Sequence, residues 1–395
     1  FLMGKKVSLE PQSLSCGKWQ FAYPIYSVSS AFIKDLDAHI VLVAGGGGKS
    51  KTGVPNAFNL LKLDTAKLST EEPVSPLLHQ TTEDRIVYAT DIHPTLPIFA
   101  VAEEQHCYLY RFITKDQKLE GIEVLQNFQS DFKTDSVQNI CKFSPDGKIL
   151  ATAGEEGIIR LWEIDSKLKK DNIVKKILEI EFQESINDLA FSMDSKMIVY
   201  TSKTDCHIYE IENRKKITDI KVSTTKKGPR SFKGCTFIQE SGNIITPQGK
   251  PRFHTIITKW NTATGSLVKN YNPSLEGPPS ALGSSVCDKK QIIGIAFGEG
   301  DIEAFSVSEK GNVSRHFKKK NVHSFITTSI TVTDDHKYIL SGSADRTFAA
   351  TKLIGGSSGV ISIICLVFLS PILLVLFLFI WITGLQDALG LLASF

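Results

Sequence analysis

Between about residue 18 and residue 353 one pattern of apolar and polar positions recurs. A short apolar stretch, a turn, a second apolar stretch, a polar turn and a third apolar stretch follow one another. The clearest copy is VQNICKFSPDGKILATAGEEGIIRLWEI, from Val137 to Ile164. Its neighbours are IVYATDIHPTLPIFAVAEEQHCYLYRF (Ile86 to Phe112) and SINDLAFSMDSKMIVYTSKTDCHIYEI (Ser185 to Ile211). Degenerate copies start at Phe232, Ser280 and Phe325, and AFIKDLDAHIVLVAGGGG…NAFNLLKLD reads as one more. Short apolar runs bounded by turn residues predict β-strands, three to each copy.

Copies start roughly every 45–50 residues, the period of a four-stranded propeller blade. In Ser144-Pro145-Asp146-Gly147 the proline pre-sets the first turn angle and the glycine takes the positive one. Trp162 ends a third strand where WD repeats often carry tryptophan, so the region resembles WD-repeat proteins. Adding the first copy predicts an all-β domain, a seven-bladed β-propeller closed around a channel. Closure needs GKWQFAYPIYSV, near the amino terminus, to lend a strand to the last blade.

A different pattern follows. GVISIICLVFLSPILLVLFLFIWITGL, residues 359–385, contains no charge. As a helix it would reach roughly 40 Å, beyond the ~30 Å hydrocarbon core, so a single transmembrane helix is expected there. Pro371 is tolerated in such a helix. Arg346 and Lys352 precede the run while its tail, LQDALGLLASF, holds only Asp387. The positive-inside rule therefore puts the propeller in the cytosol. FLMGKKVSLE is too polar for a secretory signal, and none is expected. The expected organisation is an extension at 1–17, the propeller at 18–353, a linker at 354–358, the span at 359–385 and a short lumenal tail at 386–395.

Composition narrows the chemistry. A net charge of +3 over 395 residues does not point to a polyanion partner. The seven cysteines include no C-x-x-C pair, which suggests reduced thiols. Neither a zinc-spaced His/Cys cluster nor a nucleophile elbow occurs, so covalent catalysis is not expected. Lys167 to Lys176, Lys226-Lys227 and Lys318 to Lys320 read as solvated loop tips, with anionic lipid as the alternative contact. Without an aromatic platform or recognition helix beside these lysines, nucleic-acid binding is not expected.

One stretch stands apart: VLVAGGGGKSKTGVPN, residues 41–56. A phosphate-binding loop would need a glycine at position 43, where Val43 stands, and a helix after Ser50, where Gly53-Val54-Pro55-Asn56 makes a turn. The strand ending at Val43-Ala44 should pair with one starting near Phe58, leaving about a dozen residues projecting from one face. Tight hairpins need only two to five, so the extra length is a candidate for function. From the residues alone, a functionless insertion remains the competing reading.

The loop VLVAGGGG…G-V-P-N, together with Tyr23-Pro24, Tyr26 and His323-Ser324-Phe325, resembles one family across residues 20 to 385. It is the prolactin regulatory element-binding protein family of endoplasmic-reticulum exchange factors, which load GTP onto the small GTPase that initiates coat protein complex II vesicles. The resemblance implies a guanine-nucleotide exchange factor at the endoplasmic-reticulum membrane, acting by protein binding. It implies a loop ordered by a potassium ion, and an asparagine essential for exchange, which Asn56 matches. Gly45, Gly46, Gly47, Gly48, Gly53 and Pro55 match the remaining loop positions, and Val54 with Pro55 is expected to form an apolar wedge. Asn56 is expected to hydrogen-bond the GTPase directly. The alternative function is a membrane-anchored scaffold without exchange activity.

Overall fold

Ser144-Pro145-Asp146-Gly147 forms the turn its residue types favour. The Gly147 amide donates to Ser144 O at 2.9 Å and Gly147 takes φ +73°. Asp146 Oδ1 accepts from Ser144 Oγ and from the Lys148 amide. Less regular copies keep this chemistry. Ser192 with Asp194 closes a turn through Ser195 at φ 59°, and Thr333 with Asp335 closes one through His336 at φ 56°. Local hydroxyl–carboxylate pairing thus marks the same corner in three blades.

The computed structural model describes residues 10–353, apart from 50–52, 68–70, 170–172, 223, 226–227, 240 and 251–252. The transmembrane helix expected at 359–385, the linker at 354–358 and the tail at 386–395 lie outside the described residues. Among the described residues no helix is long and apolar enough to cross a membrane. A division into compact units falls after Leu353.

Seven antiparallel sheets follow one another as blades. Blade 1 comprises Ile25–Ile33, Ala38–Gly45, Ala57–Leu63 and Val74–Thr81; blade 2, Val87–Ile92, Ile98–Glu103, His106–Lys115 and Lys118–Gln129. Blade 3 comprises Ile140–Phe143, Ile149–Ala153, Ile158–Ile164 and Val174–Glu181. Blades 4, 5 and 6 begin at Asp188, Thr236 and Pro279, and blade 7 at Thr327. The innermost strands of successive blades touch, and Thr327–Val332 touches Ile25–Ile33, so the ring closes.

Closure works as expected, with sharper boundaries. Lys18–Gln20 pairs with Thr347–Lys352 of blade 7, placing Trp19 opposite Phe348. Trp19 Nε1 donates to Glu72 Oε1 at 3.0 Å, and Lys18 Nζ to Val322 O at 2.7 Å. Gln12–Ser15, within the stretch read as an extension, adds a fifth strand to this sheet. Blade 1 starts at Ile25, earlier than the expected Ala31, because Tyr23-Pro24 already turns the chain into the next blade.

Apolar layers join blade to blade. Phe58 of blade 1 meets Phe99 and Tyr110 of blade 2, these two stacked with centroids 5.0 Å apart. Full burial of such a side chain is worth ~1.5–3 kcal/mol, so each interface is held mainly by its apolar surface. Trp162 Nε1 donates to Thr152 Oγ1 at 2.9 Å in blade 3, and Trp260 Nε1 to Thr246 Oγ1 at 2.8 Å in blade 5.

The lysine runs differ from the expected loop tips. Lys175 and Lys176 lie in the outer strand Val174–Glu181, and Lys318 and Lys319 in Val313–Lys319. These fourth strands have one open edge, where lysine discourages pairing with another chain. Lys167 and Lys169 do occupy a connection, whereas Lys170, Lys226 and Lys227 lie outside the described residues.

Candidate functional site

The glycine-rich stretch joins two strands, not a strand and a helix. Ala38–Gly45 and Ala57–Leu63 pair in register, with Ala44 opposite Phe58 and Gly45 opposite Ala57. Residues 46–56 therefore form the connection, as the sequence indicated. The equivalent connection in blade 3 needs only residues 154–157.

Steric fit explains the glycines. A Cβ on Gly45 would sit 1.9 Å from Pro24 O, and one on Gly46 would sit 2.1 Å from Asn56 Oδ1. At Gly47 a Cβ would reach Val54 Cβ at 2.5 Å. Gly48 and Gly53 take φ +84° and +75°, which a side chain would strain. The two arms of the loop therefore lie closer together than any larger residue allows. The Gly46 amide also donates to Pro24 O at 3.1 Å, tying the first arm to the chain entering blade 1.

Asn56 fills the space so created. It is 3% exposed. Its Oδ1 accepts from the Gly48 amide at 2.9 Å, and its Nδ2 donates to Glu83 O at 2.9 Å and Gly48 O at 3.4 Å. The Asn56 carbonyl accepts from the Thr82 amide at 3.0 Å. Its amide is thus spent inside the protein. In the chain without a partner, the side-chain amide expected to contact the GTPase is held by Gly48 and Glu83. The residue thereby holds the loop's shape, because the turn after Val74–Thr81 supplies the acceptor that solvent would otherwise provide.

Other loop positions are less buried. Lys49 and Gly53 are exposed, and Val54 and Pro55 are half-buried. Lys49 Nζ pairs with Glu104 Oε2 of blade 2 at 3.1 Å, a hydrogen bond that raises the lysine pKa. Beneath the loop, the buried Tyr23 hydroxyl lies 2.7 Å from Asn59 Oδ1 and 3.2 Å from Val43 O, and burial holds its pKa well above the usual value. His79 Nδ1 reaches the same Asn59 oxygen at 3.2 Å; burial lowers its pKa, favouring a neutral ring that donates there. Tyr26 and Tyr88 stack 5.7 Å apart on the adjoining inner strands.

Sequence reasoning missed the floor of this site. Residues 82–86 carry the loop: Thr82 and Glu83 bond Asn56, and a Cβ on Gly48 would touch Ile86 Cδ1 at 3.0 Å. Arg85 Nε donates to Glu103 Oε2 at 2.7 Å. A visible signal was Glu103-Glu104, an acid ending the otherwise apolar strand Ile98–Glu103 and a second one just after it.

The donor set can be compared with the potassium ion implied by the resemblance. The only side-chain oxygen in the described part of the loop is Asn56 Oδ1, already taken by the Gly48 amide. Ser50 and Thr52, the other loop residues with side-chain oxygens, lie outside the described residues. Among the described residues no group of three or more His, Cys, Asp or Glu is arranged for a metal.

Comparison with known proteins fits this picture. The family model described as WD domain, G-beta repeat matches residues 123–163, from the outer strand of blade 2 through most of blade 3. A protein of Rattus norvegicus named guanine nucleotide-exchange factor SEC12 is 22% identical over 364 residues, covering 78% of this chain and 81% of its own length. A putative guanine nucleotide-exchange factor SED4 of Candida glabrata is 22% identical over 366 residues, covering 86% of this chain and 33% of its own. Among solved structures, a chain of the crystal structure of the mitotic checkpoint complex superposes with a TM-score of 0.59 at 14% identity, covering 90% of this chain and 98% of its own, a likeness of fold alone. The resemblance of this chain to the SEC12 type of WD propeller is thereby shown along most of its length.

Proposed function

We propose that this propeller, similar over most of its length to the SEC12 exchange factors, is itself a guanine-nucleotide exchange factor. Its partner is the small GTPase that starts coat protein complex II assembly. The observation that carries this reading is the loop at 46–56. An overlong connection on a rigid blade, held by the buried Asn56 amide, exposes Gly53 and leaves Val54 and Pro55 half-buried beside it. Such preorganisation is what a surface that acts by binding requires, because little ordering entropy remains to be lost on contact.

The mechanism needs no covalent step. A factor that binds the nucleotide-free GTPase more tightly than the loaded one lowers nucleotide affinity by the same factor. Val54 and Pro55 act as an apolar wedge against the elements that enclose the nucleotide phosphates and their magnesium ion. Asn56 keeps the wedge in place from within. GTP, the abundant cytosolic nucleotide, then fills the emptied site and displaces the factor. Residues 359–385 anchor the chain as a single span in the endoplasmic-reticulum membrane with the propeller in the cytosol, which raises its effective concentration toward a membrane-associated GTPase.

Fluorescence-monitored nucleotide release tests this directly. The native chain accelerates release, and Asn56→Ala loses most of that acceleration while the propeller stays folded. A GTPase off-rate unaffected by the native chain would leave a scaffold in place of an exchange factor.

A further inference from the structure

Blade 2 grips the loop of blade 1 from the side. Glu103, with a fully buried side chain, ends the second strand of that blade, and Arg85 Nε lies 2.7 Å from its Oε2. The other oxygen, Oε1, is buried without a hydrogen-bond partner. Arg85 is therefore the cation that compensates this carboxylate, and it cannot swing away without leaving a bare buried charge. Burial raises the Glu103 pKa against the opposing pull of Arg85. The guanidinium also lies 5.4 Å from the centre of the Tyr108 ring, a cation–π contact that further fixes its position.

The pinned residue belongs to the turn that carries the loop. The Arg85 carbonyl accepts from Thr82 Oγ1 at 2.6 Å, and its amide donates to Thr82 O at 3.1 Å. Thr82 and Glu83 hold Asn56, and Ile86 adjoins Gly48. A continuous path thus runs from Glu103 through Arg85 and residues 82–86 to Asn56 and Gly48. Lys49–Glu104 is a second tether from the same end of that strand, but an exposed one.

The molecule contains its own control. Glu303 of blade 6 is equally buried and its Oε1 accepts from Arg315 Nε at 2.6 Å. Glu303 is also satisfied by the Ser274 and Leu275 amides and by Ser274 Oγ. That pair joins two strands of blade 6, with blade 7 between it and the blade that carries the loop, and it has partners to spare. The pair in blade 2 has no such redundancy.

We propose that Arg85 and Glu103 are positioning residues for the exchange loop, holding residues 82–86 where they can clasp Asn56. The inference rests on the exchange reading above, and the test separates the two. Two properties of the full chain are measured: hydrogen exchange of the loop amides around Gly48, and stimulated nucleotide release. In Arg85→Gln, loop amides exchange roughly tenfold faster and release slows by about the same factor, as the competent shape becomes a minor population. Arg85→Lys, which keeps the charge, recovers a substantial part of both. Arg315→Gln changes neither, whatever it does to the melting temperature. Glu103→Gln repeats the Arg85→Gln result and serves if that variant does not fold.

Native loop protection in Arg85→Gln would overturn the brace, while Asn56→Ala still reports on exchange by the loop. Fast-exchanging loop amides with a native release rate would also overturn it, and would remove the loop from the exchange mechanism. Equal losses in Arg85→Gln and Arg315→Gln would reduce the pair to general stability.

Discussion

Blades 1 and 3 share a strand order and an antiparallel ladder, yet they join their second and third strands in opposite styles. In blade 3, residues 154–157 turn back at once, with Gly157 at φ +78° donating to Gly154 O at 3.2 Å. In blade 1, the same connection runs through residues 46–56 and closes over a buried asparagine. Blade 3 places its polar closure within the sheet, where Trp162 meets Thr152. Blade 1 adds a second closure in the loop, beyond the Tyr23–Asn59–His79 cluster within its sheet. The contrast teaches that the ladder does not need the long loop, so the loop's precise shape serves something other than the fold.

Replacing residues 46–56 with the Gly154–Gly157 connection is the most drastic way to break this comparison. Stimulated nucleotide release should fall to the spontaneous rate while circular dichroism and cooperative melting persist. Loss of the fold would mean that the loop is structural after all. Gly46→Ala comes next. Its Cβ would lie 2.1 Å from Asn56 Oδ1, so the amide must shift, and release should slow by about tenfold if one or two of its hydrogen bonds are lost. An unaltered rate would show that the clasp tolerates displacement.

Blade 3 offers the reverse experiment. Trp162→Phe leaves the buried Thr152 hydroxyl without its donor, at a cost of about 1–3 kcal/mol. The melting temperature should fall while the release rate, measured well below it, stays native. The smallest effect belongs to Lys49→Ala. Its pair with Glu104 joins an exposed lysine, and such pairs contribute little. Release should stay within about twofold of native; a larger loss would make Lys49 a contact in its own right.

Much of this architecture was legible in the sequence where local chemistry determines it. The Ser144-Pro145-Asp146-Gly147 corner reads as a turn and marks a strand junction because Ser144 and Asp146 bond nearby backbone; its relatives at Ser192 and Thr333 do the same. The long connection was legible as well, since Val43-Ala44 and Ala57-Phe58 are apolar arms that can only pair across it. The outer strands were harder. Val174–Glu181 has the sequence VKKILEIE, and its open edge faces solvent, so charge replaced the apolar pattern. The clasp that buries Asn56 was not legible, because its acceptor comes from Glu83, in the connection to the next blade. Burial of a polar side chain depends on what the fold brings over it. The Arg85–Glu103 pair was hidden for the same reason.

A loop shaped by Asn56 is proposed to accelerate nucleotide release. The most direct test is fluorescence-monitored release from the candidate GTPase with the native full chain and with Asn56→Ala, each checked for melting. Strong acceleration is expected with the native chain, and near-spontaneous release with Asn56→Ala at a melting temperature close to native. Undiminished acceleration by a folded Asn56→Ala would contradict it.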